Sequence, residues 1–149
     1  MRYSNEIVID QPREKVIELF DNPDNMKFWQ KGLIGFEHIE GEAGKAGAKS
    51  TIKYQMGKRK VEMTETIIAN HLPDEMESTY ETKGIYNLQK NRFKEEDGKT
   101  RWISEAEFQC SGFMKIMALI WGKKAFQKQS CAYMEDFKAF AEGNPRYGN

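Results

Sequence analysis

The sequence predicts an α+β fold in which a curved antiparallel sheet of about seven strands is wrapped around one long C-terminal helix. Residues 33–110 consist of strand-like segments separated by turn signals such as GEAGKAG, MGKR and EEDGK. Residues 114–141 form a helical stretch without proline. The first strand of the sheet is predicted to be followed by two short helices and then by the other six strands. We expect a single domain over residues 1–149, in which residues 142–149 form a flexible tail.

The N-terminal segment predicts a strand followed by two short helices. The strand covers YSNEIVID, and the first helix follows in QPREKVIELF with Pro12 in its first turn. Asn22 and Pro23 have the residue types of a cap and a first helical position. Met26 and Trp29 then share one face of a helix too short to be stable alone, so this helix must dock on the rest of the protein.

Four predicted hairpins assign the strand side chains to two faces, because directly paired residues point the same way. The turns lie near residues 57–58, 72–73, 83–84 and 97–98. The outer face carries charged side chains, including Glu62, Lys90 and Glu105. The inner face consists of Ile52, Tyr54, Met56, Val61, Met63, Glu65, Ile67, Met76, Ser78, Tyr80, Thr82, Ile85, Asn87, Gln89, Asn91, Phe93, Trp102, Ser104, Ala106 and Phe108.

The inner face is apolar at its edges but polar at its centre, which is unusual for a core because buried polar groups need partners. The last helix presents a stripe of Leu119, Phe126, Tyr133, Met134, Phe137 and Phe140, with polar residues inside it. A cavity between sheet and helix would satisfy both polar sets. The predicted ligand-binding residues are Tyr54, Met63, Glu65, Met76, Ser78, Tyr80, Asn87, Gln89, Asn91, Trp102, Ser104, Lys123, Phe126, Gln127 and Ser130.

Glu65 is the most informative of these residues, because it is a carboxylate on the inner face opposite Tyr80. It has two interpretations: a structural or solvated acid, or a polar anchor for a ligand, with Lys123 as the nearest candidate counter-charge. If burial raises its pKa, Glu65 and Tyr80 become candidate acid–base groups. Trp121 points away from the helix stripe, so it either packs on a loop or belongs to a dimer or membrane contact.

The composition argues against several functions. Lys+Arg and Asp+Glu both number 23, which gives no basic excess for nucleic acid. The longest apolar run, residues 116–121, is too short to span a bilayer. The two cysteines favour a reducing, cytoplasmic location over a disulfide framework, and the two histidines lack metal-ligand spacing. We therefore expect no metal and no cofactor.

The sequence resembles the START/polyketide-cyclase (SRPBCC) superfamily, whose fold is called the helix-grip. The resemblance covers roughly residues 3–141 and is carried by IVIDQPREKVIELFDNPDNMKFW, GEAGKAGAKS, NHLPDEM and DGKTRWISEAEF. It implies that Trp29 lies near the rim of an internal cavity. Members of this superfamily bind lipids, sterols, polyketides or hormones, and a minority catalyse cyclisation or dehydration. No catalytic residue can be carried over from the resemblance.

The leading functional hypothesis is a cytoplasmic carrier or sensor, monomeric or weakly dimeric, of a small hydrophobic or amphipathic molecule. The second is a cyclase/dehydratase-type enzyme that uses Glu65 and Tyr80. A weaker third hypothesis is a protein-interaction module, such as a co-chaperone.

Overall fold

The computed structural model describes residues 1–148 and confirms the predicted order of elements. The sheet strands are β1 (Arg2–Ile9), β2 (Leu33–Glu40), β3 (Lys49–Met56), β4 (Arg59–His71), β5 (Glu75–Thr82), β6 (Ile85–Glu96) and β7 (Lys99–Cys110). The helices are α1 (Arg13–Phe20), a 3₁₀ helix (Pro23–Phe28) and α2 (Phe113–Ala141). The Asn22 side chain caps the 3₁₀ helix by accepting a hydrogen bond from the Asp24 N–H at 3.0 Å, as its residue type predicts.

The seven strands form one antiparallel sheet in the order β1-β7-β6-β5-β4-β3-β2. The first strand therefore lies beside the last, and β2 forms the opposite edge. The registers that the turns predict are confirmed in all four hairpins. They pair Tyr54 with Val61, Glu65 with Tyr80, Tyr80 with Asn87, and Phe93 with Trp102.

The hydrophobic core lies at the end of the sheet where α1, the 3₁₀ helix and the C-terminal half of α2 meet. Five aromatic rings pack there in edge-to-face and stacked pairs 5.1–5.9 Å apart. They are Phe20, Trp29, Phe93, Trp102 and Phe137. A second cluster of Tyr3, Ala106, Ala118 and Phe126 lies nearer the N-terminal end of α2. Trp29 is 7% exposed, as expected for a side chain of a short helix that must dock on the rest of the protein.

The last helix is interrupted, which corrects the expectation of one unbroken helix over residues 114–141. Gly122 has φ 78° and ψ 166°, a conformation essentially restricted to glycine. The interruption changes the direction in which the preceding side chains point. Leu119 was expected on the inward stripe but is 79% exposed, whereas Phe126, Met134 and Phe137 after the interruption are buried.

Residues 142–148, which we expect to be flexible, contact the rest of the protein. The Arg146 guanidinium donates to Asp136 of α2 at 2.8 Å, and the Tyr147 hydroxyl donates to the same carboxylate at 3.2 Å. Gly148 lies against the Phe28 ring so closely that a side chain at this position would collide with it. Residues 142–148 therefore contact both α2 and the 3₁₀ helix.

Candidate functional site

The candidate site is a group of four ionisable side chains, Tyr54, Glu65, Tyr80 and Tyr133, which we call the tyrosine–glutamate cluster. Three of them are positioned by strand register, because β3, β4 and β5 are neighbours and these residues share the inner face. Tyr133 comes from α2, and its phenol lies close enough to raise the pKa of Tyr54. The hydroxyl of Tyr54 also donates to the Gln30 side-chain oxygen at 3.0 Å.

Glu65 is the only carboxylate of the cluster, and no basic side chain of residues 1–148 contributes to its titration. Burial raises its pKa above the ordinary value of 4.5, and the interaction with the Tyr80 hydroxyl offsets only part of this rise. The folded protein thus holds the proton more tightly than the unfolded chain does. The contribution of Glu65 to stability therefore falls as the pH rises from 4.5 through the folded-state pKa.

The phenols of the cluster remain protonated at neutral pH. Burial raises the pKa of Tyr80 well above 10, and the neighbouring Glu65 and Tyr54 raise it further. The pKa values of Tyr54 and Tyr133 are also raised, chiefly by burial. The cluster consequently offers three neutral hydroxyl groups, which donate and accept hydrogen bonds, around one carboxyl group whose pKa is raised.

The closest packing of α2 on the sheet lies away from the strands that carry Tyr54, Glu65 and Tyr80. The helix contacts the sheet mainly along β1 and, to a smaller extent, β7, at the edge away from β3 and β4. Met63, Glu65, Met76 and Tyr80 face inward but are only partly buried. The inner face on β4 and β5 therefore keeps part of its side-chain surface accessible.

Other predicted site residues have partners within the fold. The Trp102 indole donates to the Asn91 side chain at 2.9 Å, and both residues are buried in the core. The Gln89 amide donates to the Asn87 oxygen at 2.8 Å, and the Asn87 amide donates to the Glu107 carbonyl at 3.1 Å. These groups need no ligand to satisfy them, which weakens the argument that the polar centre as a whole implies a cavity.

Ser78 and Ser104 are also buried on the inner face, at 3% and 8% exposure. Of the two, Ser78 lies beside the cluster, since its hydroxyl interacts with Tyr80.

Two helix residues predicted to bind a ligand, Gln127 and Ser130, form hydrogen bonds with β1 and not with the cluster. The Gln127 side chain donates to the Ser4 carbonyl at 3.1 Å, and Ser130 shares a hydrogen bond with the hydroxyl of Tyr3. Phe126 packs on the Phe108 ring with centroids 5.1 Å apart. Because α2 packs mainly on β1, polar side chains of the helix form their hydrogen bonds with that strand.

Lys123 does not provide the counter-charge expected for Glu65. Its side chain is exposed, and it forms no ion pair within residues 1–148.

Sequence reasoning did not include Tyr133 and Gln30 among the site residues. Tyr133 lies on the predicted inward stripe of the helix, and its polar phenol is the signal that could have identified it as a site residue. Gln30 follows the 3₁₀ helix in a segment without periodicity, so nothing local indicated that it meets Tyr54.

Two surface grooves lie away from the cluster. One is between the β5–β6 turn and the end of β7, lined by Gly84, Ile85 and Cys110 among others. The other is beside Gly44–Ala46 and His71. No group of three or more metal-ligating side chains occurs in the described part of the chain.

Comparisons with known proteins place the chain by its fold alone. No protein-family model and no curated protein sequence matches it. An aromatase/cyclase of a Streptomyces species superposes with a TM-score of 0.78 and 11% identity, over 95% of this chain and 93% of that one. Norcoclaurine synthase from Thalictrum flavum superposes with a TM-score of 0.72 and 10% identity, over 96% and 94%. Major latex-like protein 151 from Panax ginseng gives 0.73 and 12%, over 95% and 97%.

These likenesses extend over whole chains and show that the protein has the helix-grip fold. The fold that the sequence predicts is thereby confirmed. At 10–12% identity the likeness shows the fold and leaves the ligand and any reaction to be argued from the site. Among residues 1–148, no helix is both long and apolar enough to cross a membrane.

Proposed function

We propose that the protein binds a small hydrophobic or amphipathic molecule between α2 and the inner face of β3–β5, with the tyrosine–glutamate cluster as its polar anchor. The observation that supports this most is Glu65, an inward-facing carboxyl group with a raised pKa and no basic partner among the described residues. Leaving such a group without a partner costs stability, and binding sites are where this cost is commonly found.

The surroundings of the cluster suit a ligand with an apolar body. Small-molecule sites combine apolar walls with a few placed polar groups. Met63 lies two residues before Glu65 on β4, and Met76 lies on the inner face of β5 beyond Ser78; both keep part of their surface exposed. Methionine side chains adapt to irregular shapes, so these two walls suit a flexible or polycyclic molecule.

The polar end of the ligand should complement a carboxyl group among phenols. A hydroxyl group can bond to Glu65 in either protonation state. An amine would provide the missing cation and would lower the pKa of Glu65 on binding. We therefore favour ligands that carry a hydroxyl or amino group at one end, such as sterols or long-chain amines.

A second candidate function is acid–base catalysis of the cyclase or dehydratase type. It is favoured by one observation, which is that Glu65 has a raised pKa and interacts with Tyr80. A carboxyl group tuned towards neutral pH is suited to proton transfer, and a protonated phenol can stabilise a developing oxyanion. Two of the similar structures are named as enzymes, an aromatase/cyclase and a synthase.

Both cysteines are free thiols, which supports the proposal of a reducing, cytoplasmic location.

A thermal-shift screen of sterols, fatty acids, aromatic polyketides and long-chain amines tests the binding proposal. A ligand present at one hundred times its Kd stabilises the native state by about 2.7 kcal/mol. For a chain of this size that corresponds to a rise in Tm of about 5–10 °C. If no compound of these classes raises the Tm, the binding proposal is refuted.

Glu65→Gln and its matched control Glu62→Gln locate the binding. Both residues are on β4, but Glu62 is exposed on the outer face. Loss of a hydrogen bond to a charged group costs about 1.5–3 kcal/mol, so a genuine amine ligand should bind Glu65→Gln about 10- to 100-fold more weakly. Equal affinities for the two variants would show that the ligand lies elsewhere. If a bound compound is converted and Glu65→Gln abolishes only the conversion, the enzyme hypothesis becomes the better one.

A further inference from the structure

The first half of α2 exposes large apolar side chains to solvent. Phe113, Ile116, Leu119, Ile120 and Trp121 are 71%, 56%, 79%, 70% and 52% exposed, respectively. We call these five residues the α2 apolar face. Phe113, Ile116 and Ile120 are spaced i, i+3 and i+7, so they form one continuous stripe. Clustered exposed apolar side chains of this kind mark a contact surface.

The backbone at Gly122 maintains this exposure. The helical segment before it, residues 113–121, has a small inward side, on which Ala118 packs against the cluster of Tyr3 and Phe126. The exposed side chains of the α2 apolar face lie on the other side, except that Trp121 also contacts the Phe126 ring with centroids 6.3 Å apart. Gly122 is in a backbone conformation open essentially to glycine alone, so this orientation is built into the fold.

The stretch of chain that carries the α2 apolar face has charges of one sign. Residues 108–134 contain four lysines and no aspartate or glutamate, although the whole chain has a net charge of zero. Lys115, Lys123, Lys124 and Lys128 have exposed side chains. None of them takes part in an ion pair within the described part of the chain.

We propose that the α2 apolar face is a docking surface for an anionic lipid bilayer. Apolar side chains flanked by lysines are the composition of helices that lie in the membrane interface, and tryptophan is favoured at that depth. Lysines extend their charged ends towards lipid headgroups while their methylene chains cover apolar surface. The segment is only about 13 Å long at 1.5 Å per residue, so it lies in the interface and does not span it.

A second copy of the protein is a poorer occupant. A two-fold contact brings the same surface of both subunits together, so the lysines beside the α2 apolar face would face like charges. An anionic bilayer removes this repulsion. The proposal goes beyond ligand binding in the tyrosine–glutamate cluster and does not depend on it, because the two surfaces share no residue.

The test is sedimentation of the purified full-length protein with two kinds of vesicle, pure phosphatidylcholine and phosphatidylcholine containing 30% phosphatidylglycerol. We expect binding to the anionic vesicles that weakens as salt is added. Trp121 reports insertion, since Trp29 and Trp102 are 7% and 4% exposed and already buried in the free protein. Its emission should shift to shorter wavelength on binding, and Trp121→Phe should remove this shift while binding persists.

Two double variants separate the apolar and the charged contributions. Leu119→Ser with Ile120→Ser should reduce binding at least tenfold. Lys123→Gln with Lys124→Gln should reduce binding to anionic vesicles about thirtyfold, from about 1 kcal/mol per lysine near the surface. The matched control is Ile34→Ser with Ile39→Ser, two apolar residues of β2 that are 54% and 53% exposed. It should bind like the unmodified protein.

Several results would overturn the proposal. It fails if the protein does not bind anionic vesicles, if it binds neutral vesicles equally well, or if the serine double variant binds unchanged. It also fails if the protein is dimeric in solution and the same serine substitutions dissociate the dimer while no vesicle binding occurs. In that case the α2 apolar face is an interface between two copies.

Discussion

Truncation of Trp29 tests whether the 3₁₀ helix closes the core as its packing indicates. Trp29 stacks on Phe20 at 5.9 Å and meets the Phe137 ring edge-to-face at 5.1 Å. Replacing a buried tryptophan by alanine costs about 3–5 kcal/mol. The indole N–H is buried and has no hydrogen-bond partner among residues 1–148, so its removal also relieves a penalty of about 1–3 kcal/mol. We therefore expect Trp29→Ala to lower the free energy of unfolding by about 3 kcal/mol, the bottom of the range.

Trp29→Phe is the informative companion, because it keeps one ring in contact with Phe20 and Phe137 while removing the unsatisfied N–H. Its cost should stay within about 1 kcal/mol. Urea denaturation followed by circular dichroism measures both variants without relying on tryptophan emission. A loss below about 1 kcal/mol for Trp29→Ala would refute the assignment of Trp29 to the core. If phenylalanine costs as much as alanine, the reasoning about the unsatisfied N–H is wrong.

Three further substitutions test other parts of the structure by chemical denaturation. Gly122→Ala should destabilise by about 1–3 kcal/mol, since its φ of 78° strains any other residue, whereas Gly35→Ala, at a position with open space, should be tolerated. Arg146→Ala should cost about 1–2 kcal/mol, because Asp136 is buried while the arginine is half-exposed. Glu65→Gln should be more stable than the unmodified protein at pH 8, and the difference should disappear below pH 4.5, where the glutamate is protonated in both folded and unfolded states. A pH-independent difference would contradict the raised pKa.

The pairing of Glu65 with Tyr80 could be predicted from the sequence because it depends on local information. Strand alternation and the positions of the turns fix which residues face each other, and one shared parity then assigns the whole inner face. The register shift in β4 between Ile67 and Ala69 lies beyond this pair, on the side of the β4–β5 turn. The shift pairs Met76 with Asn70 and leaves the predicted pairing of Glu65 with Tyr80 unchanged.

The position of α2 on the sheet could not be predicted in the same way. A glycine inside a helical pattern costs only about 1 kcal/mol, so the sequence favoured a continuous helix through Gly122. Whether the backbone changes direction there depends on contacts with β1, which is more than a hundred residues away in the chain. For the same reason Gln127 and Ser130 were assigned to a ligand, whereas their hydrogen bonds go to Ser4 and Tyr3.

The polar residues of the inner face fall into two sets that differ in their hydrogen-bonding partners. Asn87, Gln89 and Asn91 are hydrogen-bonded inside the fold, so their polarity is explained by structure. Glu65 is different, because it interacts with the phenols of Tyr80 and Tyr54 and its charged form is disfavoured by burial. An uncharged glutamine at this position would avoid that cost while preserving a hydrogen bond to Tyr80. We therefore expect a glutamate there to stabilise the folded protein less than glutamine would, a cost that is consistent with the ligand-binding role proposed for Glu65.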